Sequence, residues 1–241
     1  MTGGPRLTDT LTANLAQVRD RMSRACAAAG RAPGSVRLVA VSKTFGIDHV
    51  RAAAAAGQTV FGENRVQEAA AKIDQSPDLA LEWHLIGHLQ SNKITRAAAL
   101  FSCIHSVDRV DKLQALDAAA AMLGRRLDVL VQADLAGEAT KHGAPRPEIS
   151  RIFDAASSCP AARVVGLMLL PPFLEDPEGT RPCFRELRAL RDELAASGVE
   201  PAALQELSMG MSHDFEIAID EGSTIVRIGS AIFGDRHVRN Q

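Results

Sequence analysis

Residues 37–43 read RLVAVSK: Arg37-Leu38-Val39-Ala40-Val41-Ser42-Lys43. Four consecutive apolar residues, two of them β-branched, fit a short strand buried on both faces. The strand then ends in a lysine. A lysine in that place commonly reaches into water over its own methylene stem. The other arrangement is a partly dry pocket, where a lowered pKa leaves a neutral amine able to attack a carbonyl. The heptapeptide alone fits both.

The same signature recurs outward from this stretch. Apolar runs follow at 59–62 (TVFG), 81–87 (LEWHLIG), 103–107 (CIHSV), 127–133 (LDVLVQA), 164–170 (VVGLMLL), 204–209 (LQELSM) and 224–229 (TIVRIG). Between the runs lie Ala- and Leu-rich segments with helical spacing, such as 109–123 and 182–196. Ahead of them, residues 7–30 place Leu7, Leu11, Leu15, Val18, Met22 and Cys26 on one helical face, with Gly30 as terminator. Eight strands alternating with helices predict an α/β fold: a (β/α)8 TIM-type barrel preceded by an N-terminal helix. A doubly wound open sheet satisfies the same periodicity, which does not report closure. No linker, low-complexity tract or repeat divides the chain, so residues 1–241 are read as one domain.

Composition narrows the function. The chain has 241 residues, 46% of them hydrophobic, and a formal net charge of −2. No basic stripe points to nucleic acid, and no apolar run reaches the roughly 20 residues of a membrane span. The opening MTGGPRLTDTLTANLAQV lacks the apolar run of a signal peptide. The four cysteines are scattered without a CxxC pair, which argues against a disulfide scaffold or zinc site. These features predict a soluble cytoplasmic protein, read as a monomer.

In a barrel, active sites sit at the C-terminal strand ends, and phosphate sites follow strands seven and eight. Lys43 closes the first strand. The seventh and eighth end in SMGMSHD (208–214) and VRIGSAIFG (226–234). Gly210 with Ser212, and Gly229 with Ser230, offer tight turns, hydroxyls and backbone N–H groups to an anion. Gly-x-Ser also serves as an ordinary turn and cap. Arg227 is either an interior arginine paired with a carboxylate or a donor to a bound ligand. Glu63 and Asn64 end the second strand in FGENRVQE as candidates for polar contacts at the mouth, Asn64 also fitting a helix N-cap. His84 and His88 stand four apart, but Gly87 and the strand-like run oppose a helical metal pair. Lys141 in GEATKHG follows strand five.

Together LVAVSKT, FGENRVQE, WHLIGHLQSNK, GEATKHG, GLMLLPP, LSMGMSHDFEIAI and GSTIVRIGSAIFG resemble one family over residues 38–234. It is the YggS or PROSC type of pyridoxal 5'-phosphate (PLP) binding proteins, concerned with vitamin B6 homeostasis. The resemblance implies a barrel like the N-terminal domain of alanine racemase, with PLP at its mouth. It makes Lys43 the Schiff-base lysine, Ser212, Gly229 and Ser230 phosphate contacts, Arg227 the partner of the pyridine nitrogen, and Asn64 a neighbour of the cofactor. Lys141 matches a second lysine proposed to assist PLP exchange. The sequence departs from the family in lacking a proline after Lys43, and in carrying Asp134 and Cys183 where asparagine and an aromatic are common. The expected geometry has Lys43 and the phosphate loops facing each other across the mouth, gripping opposite ends of the cofactor. The expected role is a PLP carrier, with PLP-dependent apoenzymes as recipients, rather than an enzyme. The alternatives are a PLP-dependent racemase and a Schiff-base aldolase. A racemase needs a second acid/base opposite the lysine, which alanine racemase takes from a tyrosine on a C-terminal β-domain. This chain has no tyrosine, and no such domain is expected after the eighth strand.

Overall fold

The structure is a computed structural model and describes residues 6–135 and 142–234. Eight parallel strands close into a barrel in sequence order. They are β1 (Arg37–Val41), β2 (Val60–Glu63), β3 (Glu82–Leu85), β4 (Cys103–Val107), β5 (Leu127–Gln132), β6 (Ala162–Met168), β7 (Glu206–Ser208) and β8 (Ile225–Ile228). Helix α1 (Leu7–Ala28) precedes them. The outer layer is α2 (Ile47–Ala55), α3 (Val66–Asp74), α4 (Ile94–Leu100), α5 (Val110–Met122), α6 (Arg146–Ala156), α7 (Arg181–Ala196), α8 (Phe215–Asp220) and the short α9 (Ser230–Phe233). The open-sheet alternative is excluded by the pairing of β1 with β8, in which Val39 lies opposite Arg227 and Ala40 opposite Ile228.

Alternation along each strand divides the core into two shells. In β1, Leu38 and Ala40 pack in the outer shell against the helices, while Val39 joins a small inner cluster with Cys103, Leu130, Val165, Met168 and Ile225. The inner cluster is small because other buried interior positions are polar: His84, His105, Ser208 and Arg227. Outside the barrel, α1 lays Leu11, Leu15, Val18, Met22 and Cys26 against α2, α8 and α9. Each of these larger side chains contributes about 1.5–3 kcal/mol of gross burial. Arg21 of α1 adds a guanidinium over the Phe215 ring, 4.6 Å from its centroid, and an ion pair to Glu216 at 2.6 Å. Among the described residues, no helix is long and apolar enough to cross a membrane.

Candidate functional site

A cavity of about 990 Å³ opens at the C-terminal mouth of the barrel. Lys43, Asn64, Ser212, Arg227, Gly229 and Ser230 all line it, so the six residues singled out in the sequence share one site. Their arrangement differs from the expected one. Because β8 pairs with β1, the loops after β7 and β8 do not face Lys43 across the mouth. They stand beside it, on the contiguous arc β7-β8-β1. A Cβ on Gly229 would come within 3.3 Å of the Val41 carbonyl, two residues before Lys43.

The local structure explains how each side chain is held. Lys43 is half-buried, and the residues on either side of it are tied down from behind. Ser42 Oγ donates to Glu63 Oε1 (2.6 Å), while the Lys72 ammonium donates to the Ser42 carbonyl (2.8 Å), Glu63 (2.6 Å) and Glu68 (3.0 Å). The Thr44 N–H donates to Glu68 at 2.5 Å, at a φ of 71° that a β-branched residue rarely adopts. This polar cage fixes the turn that carries Lys43. It also corrects the reading of Glu63, which is buried against Lys72 and does not line the cavity. Burial raises the Glu63 carboxyl pKa, and the Lys72 pair only partly offsets it. Its Oε2 has no hydrogen-bond partner.

Asn64 is not the cap of α3, whose N-cap position is Arg65. It lies where the ends of β2 and β3 press together. A Cβ on Gly87 would stand 2.3 Å from the Asn64 carbonyl oxygen, so only glycine fits that approach. On the other side, Gly210 turns the chain after β7 at a φ of +95°, with Ala218 packed where its Cβ would be. Ser212 then projects to β8, where its Oγ accepts from the N–H groups of Gly229 (3.1 Å) and Ala231 (3.3 Å). An oxygen already sits against the paired amides that a phosphate oxygen would use. The exposed Ser230 adds a hydroxyl beside them.

Arg227 lies at the cavity floor, 3% exposed. It has hydrogen bonds to Ser208 Oγ (2.5 Å) and the Leu169 carbonyl (2.9 Å), rather than the carboxylate pairing considered above. Burial holds its pKa down to about 10, partly countered by Asp214, so it remains charged and purely a donor at neutral pH. The set therefore combines anion donors, a fixed cation and a lysine around a partly apolar space. It fits a small aromatic phosphate carrying a carbonyl.

The two histidines considered as a metal pair are separated. His84 is buried inside the barrel on β3 and does not line the cavity. His88 stands at the mouth, stacked on His142 with ring centroids 3.8 Å apart. Desolvation, then Lys112 and His142, lowers the His88 pKa. Lys141 lies outside the described residues. Sequence reasoning missed Lys72 and Glu68, although their i,i+4 spacing after FGEN was a usable signal. It also missed Ser208 and His105, which nothing local in the sequence marks.

A closed parallel barrel with a lysine after β1 and anion donors after β7 and β8 defines a class, and the comparisons agree. The profile of the family described as "Alanine racemase, N-terminal domain" matches residues 8–237. The chain belongs to that family and, within it, to the pyridoxal phosphate homeostasis proteins of YggS/PROSC type. It is 44% identical to the Pyridoxal phosphate homeostasis protein of Aquifex aeolicus, over 92% of this chain and 96% of that one. The bovine (Bos taurus) protein of the same name is 41% identical, over 92% of this chain and 86% of its own length. Among solved structures, PipY of Synechococcus elongatus with PLP bound superposes with a TM-score of 0.83 at 37% identity, covering 93% of this chain and all of that one.

Proposed function

We propose that this chain binds PLP at the barrel mouth and serves PLP homeostasis as a reversible carrier without strong catalysis of its own. The observation that carries the reading is the convergence of Lys43, Asn64, Ser212, Arg227, Gly229 and Ser230 on one cavity. The PLP-bound PipY structure, of a protein 37% identical, supports it. PLP supplies an aldehyde carbon that condenses with an amine, releasing water. Lys43 provides that amine, held at the rim by the Ser42–Glu63–Lys72 cage. Ser212, Ser230 and the amides of Gly229 and Ala231 bind the phosphate. Arg227 donates to the pyridine nitrogen and Asn64 borders the ring.

Arg227 weakens the case for catalysis without excluding racemisation, since the resemblance gives alanine racemase a similar arginine; the lack of a tyrosine as second acid/base counts for more. A guanidinium that only donates leaves the ring nitrogen unprotonated, which weakens the ring as an electron sink. Racemisation further requires a second acid/base, and the chain has no tyrosine. His84 is unavailable for that role, bonded inside the barrel to His105 and Glu82. The stacked His88–His142 pair at the mouth is the observation that favours the second reading, a racemase-like enzyme. The deciding experiment reduces PLP-loaded protein with borohydride and locates the added mass by peptide mapping. The proposal requires the adduct on Lys43; an adduct elsewhere, or no visible PLP absorbance before reduction, refutes it.

A further inference from the structure

Arg227 is a charge buried inside the barrel, yet its hydrogen bonds go to a hydroxyl and a carbonyl. A buried guanidinium is costly unless negative charge or oriented dipoles reach it. From Ser208 the contacts continue across the interior. His105 Nδ1 lies 2.9 Å from Ser208 Oγ, and His105 Nε2 lies 2.9 Å from His84 Nδ1. His84 Nε2 lies 3.0 Å from Glu82 Oε1, which Ser102 Oγ also approaches at 3.2 Å. His84, His105 and Ser208 are each 0% exposed, whereas the Glu82 side chain is 42% exposed.

The protons in this chain follow from its ends. Arg227 has donors only, so Ser208 Oγ accepts from it and turns its own proton to His105 Nδ1. A neutral His105 then carries its proton on Nε2 and donates to His84 Nδ1. His84 in turn donates from Nε2 to the ionised Glu82, which can only accept. The reverse orientation would set an unprotonated His84 Nε2 against the Glu82 carboxylate. With both rings neutral, this direction alone satisfies every link.

We propose that Ser208, His105, His84 and Glu82 form a one-way hydrogen-bond relay that positions the Arg227 guanidinium and compensates its charge from the far end of the barrel. The four are positioning residues, and their consequence for PLP rests on the reading of Arg227 as partner of the ring nitrogen. The same histidines, with Cys103, place ligand atoms within 4.8 Å of one another, the geometry of a metal site. The relay argues against metal there. It uses the facing ring nitrogens against each other, and the Cys103 thiol is buried where desolvation keeps it protonated.

The test begins with the whole protein labelled with 15N-histidine, using long-range 1H–15N correlation at neutral pH. The relay requires His84 and His105 to be neutral, each with its proton on Nε2. A proton on Nδ1 of either ring, or a change at both rings on titration with zinc, overturns it. Affinities for PLP and for its 1-deaza analogue, where C–H replaces the ring nitrogen, are then measured in wild type, Ser208→Ala, His105→Leu and His105→Gln. Wild type should prefer PLP by about tenfold or more, the scale of one charged hydrogen bond. Ser208→Ala and His105→Leu should bring the ratio toward one, with the loss falling on PLP and not on the analogue. His105→Gln, which keeps an acceptor and a donor, should recover most of the preference. Equal ratios in all four proteins at the wild-type preference overturn the relay. A ratio near one in wild type refutes instead the ring-nitrogen role of Arg227, and the tautomers alone then decide the relay.

Discussion

Acidification from about pH 7.5 to about pH 5.5 probes the barrel interior directly. His105 is fully buried, and burial first, then the positive charges of Arg227 and Arg37, holds its pKa well below 6.5. In the folded protein the ring stays neutral; in the unfolded chain it takes up a proton below about pH 6.5. The sign follows: a base with a depressed folded-state pKa contributes stability that is complete above about pH 6.5 and is lost as the pH falls below it. For one such group the loss over this interval is RT ln(11/1.1), about 1.4 kcal/mol. With a urea m-value of about 3 kcal/mol/M, the unfolding midpoint drops by about 0.5 M. The assay compares urea unfolding of wild type and His105→Gln at both pH values. His49 and His88, also depressed chiefly by burial, titrate in both proteins and cancel in the difference. The variant should be less stable at the higher pH and lose about 1.4 kcal/mol less on acidification. Parallel losses in the two proteins would show that His105 is not held neutral, and the interior electrostatics described here would be wrong.

The remaining predictions concern the mouth and its supports. Lys43→Ala should abolish the borohydride-trapped PLP adduct while leaving thermal unfolding nearly unchanged; a retained adduct at the same site would reassign the nucleophile. Ser212→Ala and Ser230→Ala should each weaken PLP by roughly ten- to a hundredfold, the worth of a hydrogen bond to a charged group, and pyridoxal much less; equal losses for both ligands would remove these serines from the phosphate site. Lys72→Met strands the buried Glu63 carboxylate and should cost about 3 kcal/mol, lowering Tm by roughly 6–12 °C for a chain of this size. Adding Glu63→Gln should recover much of that loss, and failure to do so would mean the pair is not the source of the cost. PLP-loaded protein incubated with L-amino acids in deuterated water should show no α-proton exchange near about 1 s⁻¹; exchange at that rate that vanished in Lys43→Ala would establish an enzyme.

The fold was legible because parallel strands buried on both faces show as short apolar runs, and all eight runs contain the observed strands in whole or large part. Boundaries failed where packing rather than periodicity ends a strand. The 81–87 run continues through Ile86, yet β3 stops at Leu85, ahead of the close approach of Gly87 to Asn64. The six residues that converge on the cavity could be named from strand ends and the family resemblance. Their mutual placement could not, because closure depends on β1 finding β8 nearly 190 residues later, which no local pattern records. The interior network was hidden for the same reason: His105 and Ser208 meet across 103 residues of sequence. His84 looked like half of a metal pair because spacing links it to His88, whereas the barrel turns one ring inward and leaves the other at the mouth.

Closure also bears on the choice between carrier and enzyme. With Lys43 after β1 and the anion donors after β7 and β8, both anchors lie on one arc of the mouth. The opposite rim is built from other parts: His88 after β3, Asp134 after β5, His142, and the Leu170–Phe173 segment after β6. Phe173 is 77% exposed there. Among the described residues, a ligand held along one arc leaves that rim open to a second molecule. In an enzyme this side would present an acid/base to an amino acid substrate, and His88 with His142 is the group in place to do so. In a carrier that holds PLP through Lys43 as proposed, the same opening would admit an amine that takes the place of the Lys43 amine, releasing the cofactor by exchange. The second role needs no proton removed from a substrate carbon, which is why α-proton exchange, and not PLP binding or release, separates the two.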